Sequence, residues 1–165
     1  MIKSNSFKRN YFLFLMMVLV GCHHNSKQPS NFAFVFKYGF FPPRNVLNTY
    51  SGQFTRDMAF DRDTIVSFHL EENQMDSIYQ KMVDIDVFNY PDEYIPDKGN
   101  GVSPSHSYYF KITAGDKEKQ LWWREGLYSN NPKSKQLYEL IHLIERMITG
   151  NKQYPELPQS QHMHW

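Results

Sequence analysis

The sequence predicts an α+β fold: a mainly antiparallel sheet of about five strands with two amphipathic helices on one face, in the order βββαββα. Three observations lead there. Period-two runs rich in aromatic and β-branched residues occur before residue 71 and again between 107 and 124. Two longer stretches, 71–85 and 132–149, repeat apolar residues at helical spacing. Short polar turns separate successive strands, which favours antiparallel neighbours with the helices layered on one side.

The first strand, Phe32 to Tyr38, sets large aromatics at every second position and Ala33, Val35 and Lys37 between them. Both faces are mostly apolar, so it belongs inside the sheet. Pro42-Pro43 breaks it. Val46 to Met58 reads as a weaker strand or a bent hairpin, with Tyr50, Gly52, Phe54, Arg56 and Met58 on one side. After the polar turn Asp61-Arg62-Asp63, Thr64 to Leu70 puts Val66, Phe68 and Leu70 on one face as the clearest strand of the group. Glu71 and Glu72 then suit the positive end of a helix dipole, and Met75, Ile78, Tyr79 and Met82 form a buried stripe up to Ile85. Asn89 to Gly101, punctuated by Pro91, Pro96, Gly99 and Gly101, reads as a long loop.

Ser107 to Arg124 is a hairpin turning at Ala114-Gly115-Asp116-Lys117, with Tyr108, Phe110, Ile112, Leu121 and Trp123 on its apolar face. Asn131-Pro132 supplies an N-cap and a proline at the first helical position. The helix that follows buries Leu137, Leu140, Ile141, Ile144 and Ile148 and stops at Gly150. A tail, 151–165, contains Pro155 and Pro158 and has no periodicity.

The N-terminus carries a different kind of signal. Lys3, Lys8 and Arg9 precede an apolar stretch from Tyr11 to Val20, shorter than the roughly 20 apolar residues that span a bilayer. It closes on Leu19-Val20-Gly21-Cys22, and Cys22 is the single cysteine. This run resembles the lipobox of bacterial lipoproteins. The resemblance implies a signal peptide over 1–21, cleavage before Cys22 and a diacylglycerol on its sulfur. An ordinary signal peptide or N-terminal anchor with a chance cysteine is the alternative. Domain organisation follows: signal peptide 1–21, lipidated Cys22 with a flexible tether to residue 31, one α+β domain over 32–150, and the tail.

Cleavage would remove 21 of the 165 residues and leave 15 basic against 17 acidic ones, a formal charge of −2. Nucleic acid is not an expected partner of such a chain, since clustered Lys and Arg supply most of that affinity. The membrane is, through the lipid on Cys22. That places the protein outside the cytoplasm: on the periplasmic face of the outer membrane in a Gram-negative cell, or the outer face of the cytoplasmic membrane in a Gram-positive one. The stretches Asn48 to Met58 and Val102 to Tyr109 are similar to small bacterial lipoproteins with no established activity, which implies a single α+β domain and transfers no catalytic residue.

Catalytic and metal-binding sets are not evident. His23-His24 and His162-Met163-His164 lie in the termini, and His69, His106 and His142 are isolated from one another. Asp57, Asp61 and Asp63 lack the ligand spacing of a calcium loop and fit turn chemistry better. No G-x-S-x-G, H-E-x-x-H or phosphate-cradling glycine loop occurs, so neither cofactor nor metal is expected. The distinctive feature is Leu121-Trp122-Trp123-Arg124, because adjacent strand residues point to opposite faces. With Trp123 beneath the helices, Trp122 and Arg124 face outward beside Tyr109 and Lys111. Such a row suits a protein or cell-wall glycan partner, Trp, Tyr and Arg being favoured anchors. The competing expectation is a second small core with the 89–101 loop folded over that face. The sequence thus points to a lipid-anchored envelope domain that binds through its sheet, with an enzyme or enzyme inhibitor acting on envelope polymers as the alternative.

Overall fold

Aromatic alternation builds the centre of the sheet. In the computed structural model, which describes residues 27–96, 106–124 and 131–160, β1 (Ala33–Phe40) buries Phe34 and Phe36 completely and leaves Val35 and Lys37 half-exposed. The N-terminal segment with Cys22, Gly99 and Gly101, and the histidines at 162 and 164 lie outside the described residues. β1 pairs antiparallel with β2 (Asn45–Asn48) on one side and β6 (His106–Ala114) on the other. β3 (Gln53–Arg56) and β4 (Thr64–Ser67) extend the sheet beyond β2, and β7 (Lys117–Arg124) and β5 (Glu93–Tyr94) extend it beyond β6. The order is β4-β3-β2-β1-β6-β7-β5, with every neighbour antiparallel except β5, which runs parallel to β7.

Register sorts the two faces. Val66, Phe54, Leu47, Phe36, Phe110 and Leu121 stand opposite one another across six strands and form one inner row. One residue along, Ile65, Thr55, Val46, Lys37, Tyr109, Trp122 and Glu93 form the outer row. The inner row is covered by α1 (Glu72–Asp84), through Ile78 and Met82, and by α2 (Pro132–Thr149), through Leu137, Leu140, Ile141, Ile144 and Ile148. α1 starts in a capping box between Glu71 and Gln74, and α2 starts where Lys133 N–H donates to the Asn131 side chain. Capping thus satisfies amides that have no partner inside the helix.

The α+β class and the single-sided helix layer agree with the sequence; the strand count does not. The sheet has seven strands in the order ββββαβββα. Val46 to Met58 is the hairpin, not the single strand: the Asn48 side chain accepts from Tyr50 and Ser51 N–H, and Gly52 takes a φ of +61°, a conformation costly for other residues. That turn shifts the phase, so Phe54 and Met58 are buried while Tyr50 is exposed, its hydroxyl sharing a hydrogen bond with Thr113. The expected third strand ends at Ser67 and is an edge, with Ile65 61% exposed. The other addition, β5, lies inside the expected loop. Pro91 and Pro96 bound a two-residue edge strand that docks on β7, where Trp122 N–H donates to the Asp92 carbonyl.

The packed chain also reaches past the expected domain limits. Leu157 is buried in the core, following a 3₁₀ turn at Tyr154–Glu156. At the other end the Asn31 side chain donates to the Gly115 carbonyl and accepts from its N–H, both at 2.8 Å. Asn31 therefore closes the β6–β7 turn.

Candidate functional site

Alternation in β7 separates two tryptophans that are neighbours in sequence. Trp123 is 1% exposed, stacked on Tyr108 at 5.0 Å between ring centroids and meeting Tyr138 edge-on at 4.7 Å. Trp122 is 40% exposed on the outer face. Its cross-strand partner is Tyr109, with ring centroids 4.6 Å apart. The Tyr109 hydroxyl donates to Gln120 Oε1 at 3.2 Å. Burial, with a contribution from the Tyr50 phenol, raises the Tyr109 phenol above its ordinary pKa and keeps it a neutral donor.

Cations sit over these rings. Lys37 Nζ lies 5.5 Å from the Tyr109 ring centre, Lys111 Nζ 5.9 Å from that of Tyr50, and the Arg124 guanidinium 4.9 Å from that of Phe41. Each contact of this type contributes about 0.5–1 kcal/mol at an exposed site. Together they hold flexible cationic side chains against an aromatic surface. All four residues named from the sequence (Tyr109, Lys111, Trp122 and Arg124) lie on this one face.

Trp122 stands between two hollows. One, of about 250 Å³, is lined by Phe41, Glu93, Ile95, Ser107, Trp122 and Arg124 and by the edge of the buried Trp123. The other, of about 500 Å³, runs beside Lys111, Gln120 and Asp92. Among the described residues Arg124 and Glu93 form no ion pair, and the Ser107 hydroxyl, in a residue 1% exposed, has no hydrogen-bond partner. The described part of the 89–101 segment runs along the β7 edge and not across the outer face.

Phe41, Glu93, Ile95 and Ser107 were not singled out by sequence. Ser107 shares the outward phase of Tyr109 and Lys111 and was within reach of that argument. Phe41 sits in the proline break and the other two in the expected loop, where periodicity carries no information.

The remaining candidates stay apart. His69 lies over Gly52, His106 stacks on Phe40 and His142 stands beside Glu145. Arg44 bridges Asp57 at 3.3 Å and Asp63 at 2.7 Å, while Asp57 and Asp63 accept from Ala59 and Met58 N–H. A guanidinium and two backbone amides thus occupy those carboxylates as turn chemistry. No group of three or more metal-ligating side chains is present among the described residues. None of the helices described is long and apolar enough to cross a membrane. Compared with known proteins, the chain matches no family profile and no curated sequence.

Proposed function

We propose that this chain is a lipid-anchored domain of the bacterial cell envelope that binds a partner through the outer face of its sheet. The observation that carries the binding reading is the Trp122–Tyr109 pair, exposed between two hollows and flanked by Arg124 and Lys111. The anchoring reading rests on the lipobox-like Leu19-Val20-Gly21-Cys22.

Connectivity supports the two together. A lipid on Cys22 would be five residues from Lys27, a reach of at most about 18 Å. Asn31 fastens the following segment to the β6–β7 turn. β1 then runs from that end of the sheet toward Gly39, which pairs with Ser107, itself opposite Arg124. The smaller hollow therefore lies roughly 20 Å of strand from Asn31, at the far end of β1 from the proposed anchor.

The test uses the full chain in its native membrane. Cys22→Ala abolishes incorporation of labelled fatty acid and releases the protein from the membrane fraction. An intact N-terminus by mass spectrometry refutes anchoring. Separately, Trp122→Ala weakens crosslinking to the native partner at least tenfold; unchanged crosslinking by a stable variant refutes the binding face.

A further inference from the structure

We infer that the 250 Å³ hollow beside Trp122 is a subsite for one pyranose ring of a glycan. The inference rests on the reading of the outer face as a binding surface and adds the ligand class. Size is the first argument. The hollow is below the roughly 300–1,000 Å³ usual for sites that enclose a drug-sized ligand, so it accepts one ring or one side chain.

Polar chemistry favours a neutral ring over a charged side chain. Arg124 can only donate, and Glu93 can only accept. Neither is neutralised by another described side chain. A carboxylate-bearing peptide would pair with Arg124 and bring a second negative charge to Glu93. An amine would do the reverse. Sugar hydroxyls both donate and accept, so one neutral ring serves Arg124 and Glu93 without like-charge contact. The exposed indole of Trp122 offers the flat apolar surface that the C–H face of a pyranose covers. The 500 Å³ hollow with Lys111 and Gln120 shares Trp122 and Glu93 with it and offers room for a neighbouring sugar.

The probes are chitotetraose and cellotetraose, with an acetylated hydrophobic tripeptide carrying a free carboxylate as the competitor class. Detergent-solubilised full-length protein is titrated with each, and indole fluorescence and calorimetry report binding. At least one tetrasaccharide binds, Trp122→Ala abolishes the signal, and Arg124→Gln and Glu93→Gln each weaken binding roughly tenfold. Circular dichroism confirms that these surface variants fold. Binding of the tripeptide alone, lost in Arg124→Gln and Trp122→Ala, overturns the glycan assignment and leaves the binding face standing. Failure of all three probes also overturns the glycan assignment, and the crosslinking result for Trp122→Ala then decides the binding face independently. Tetrasaccharide binding that survives all three substitutions places the sugar elsewhere and overturns the assignment as well.

Discussion

Replacing each of the adjacent tryptophans with alanine should produce opposite phenotypes, and the structure gives the scale. Trp123 is fully buried against Tyr108 and Tyr138, so Trp123→Ala removes a complete aromatic contact set and leaves a cavity under α2. The expected loss is about 3–5 kcal/mol, or roughly 10–20 °C in melting temperature for a domain of this size. Trp123 Nε1 is buried without a hydrogen-bond partner among the described residues. Trp123→Phe keeps a ring and removes that orphaned donor, so it should cost less than half as much. Trp122→Ala opens no cavity, because the indole already faces solvent. It loses the cross-strand contact with Tyr109, about 1–2 kcal/mol including the aromatic contribution. Thermal melts by circular dichroism measure all three. Equal shifts for Trp122→Ala and Trp123→Ala would refute the assignment of the two faces.

Ile141 is buried in α2 and His142 is exposed, so Ile141→Ala should cost about 2–4 kcal/mol and His142→Ala within about 0.5 kcal/mol of nothing, by chemical denaturation. Gly52 has a φ of +61°, and a Cβ there would meet the His69 ring at 2.2 Å. His69 is exposed and can swing aside, so Gly52→Ala should cost about 1–2 kcal/mol from the left-handed backbone, and adding His69→Ala should restore little of it. The Tyr90 phenol is pushed up to about 12, by burial first and then by Tyr94 and Asp86. Its one hydroxyl proton is shared between the Lys133 carbonyl and Gln136 Oε1. A raised pKa leaves its stabilisation intact below the ordinary value near 10 and removes it as pH climbs to about 12. Stability should therefore fall across that window, and Tyr90→Phe should flatten the fall.

Legibility in the sequence followed the strength of periodicity. The hairpin 107–124 and the last helix were readable because every second or every third to fourth residue is apolar over long runs, and burial selects that pattern. Thr64 to Leu70 misled because Phe68 and Leu70 belong to the approach to α1, where packing on the core does not require strand pairing. β5 was hidden for a different reason. Two residues between prolines have no period, and their place at the edge comes from Asp92 and Glu93 meeting β7, a contact distant in sequence. The candidate site divides the same way. Trp122, Tyr109, Lys111 and Arg124 follow from alternation, whereas Phe41, Glu93 and Ile95 arrive from segments that only the tertiary fold brings alongside.

The division has a consequence for what the outer face is for. An antiparallel sheet with one face in water needs small, β-branched or charged residues there, and β2 and β3 comply with Val46 and Thr55. The β1–β6–β7 sector departs from that pattern. Phe41 is 58% exposed and Trp122 40%, so each contributes to folding only a fraction of what a core aromatic does. Arg124 lies over Phe41 and not beside a carboxylate, which leaves its donors unpaired among the described residues. Ser107 contributes a buried hydroxyl with no partner, a net cost to the fold of about 1–3 kcal/mol. Ser107→Ala should on that account raise the melting temperature. The three exposed side chains add less to the folded state than core residues would, Ser107 costs it stability, and all four line one hollow. That convergence supports the proposal of a bound partner on this face, and not on the turn around Arg44 or the isolated histidines.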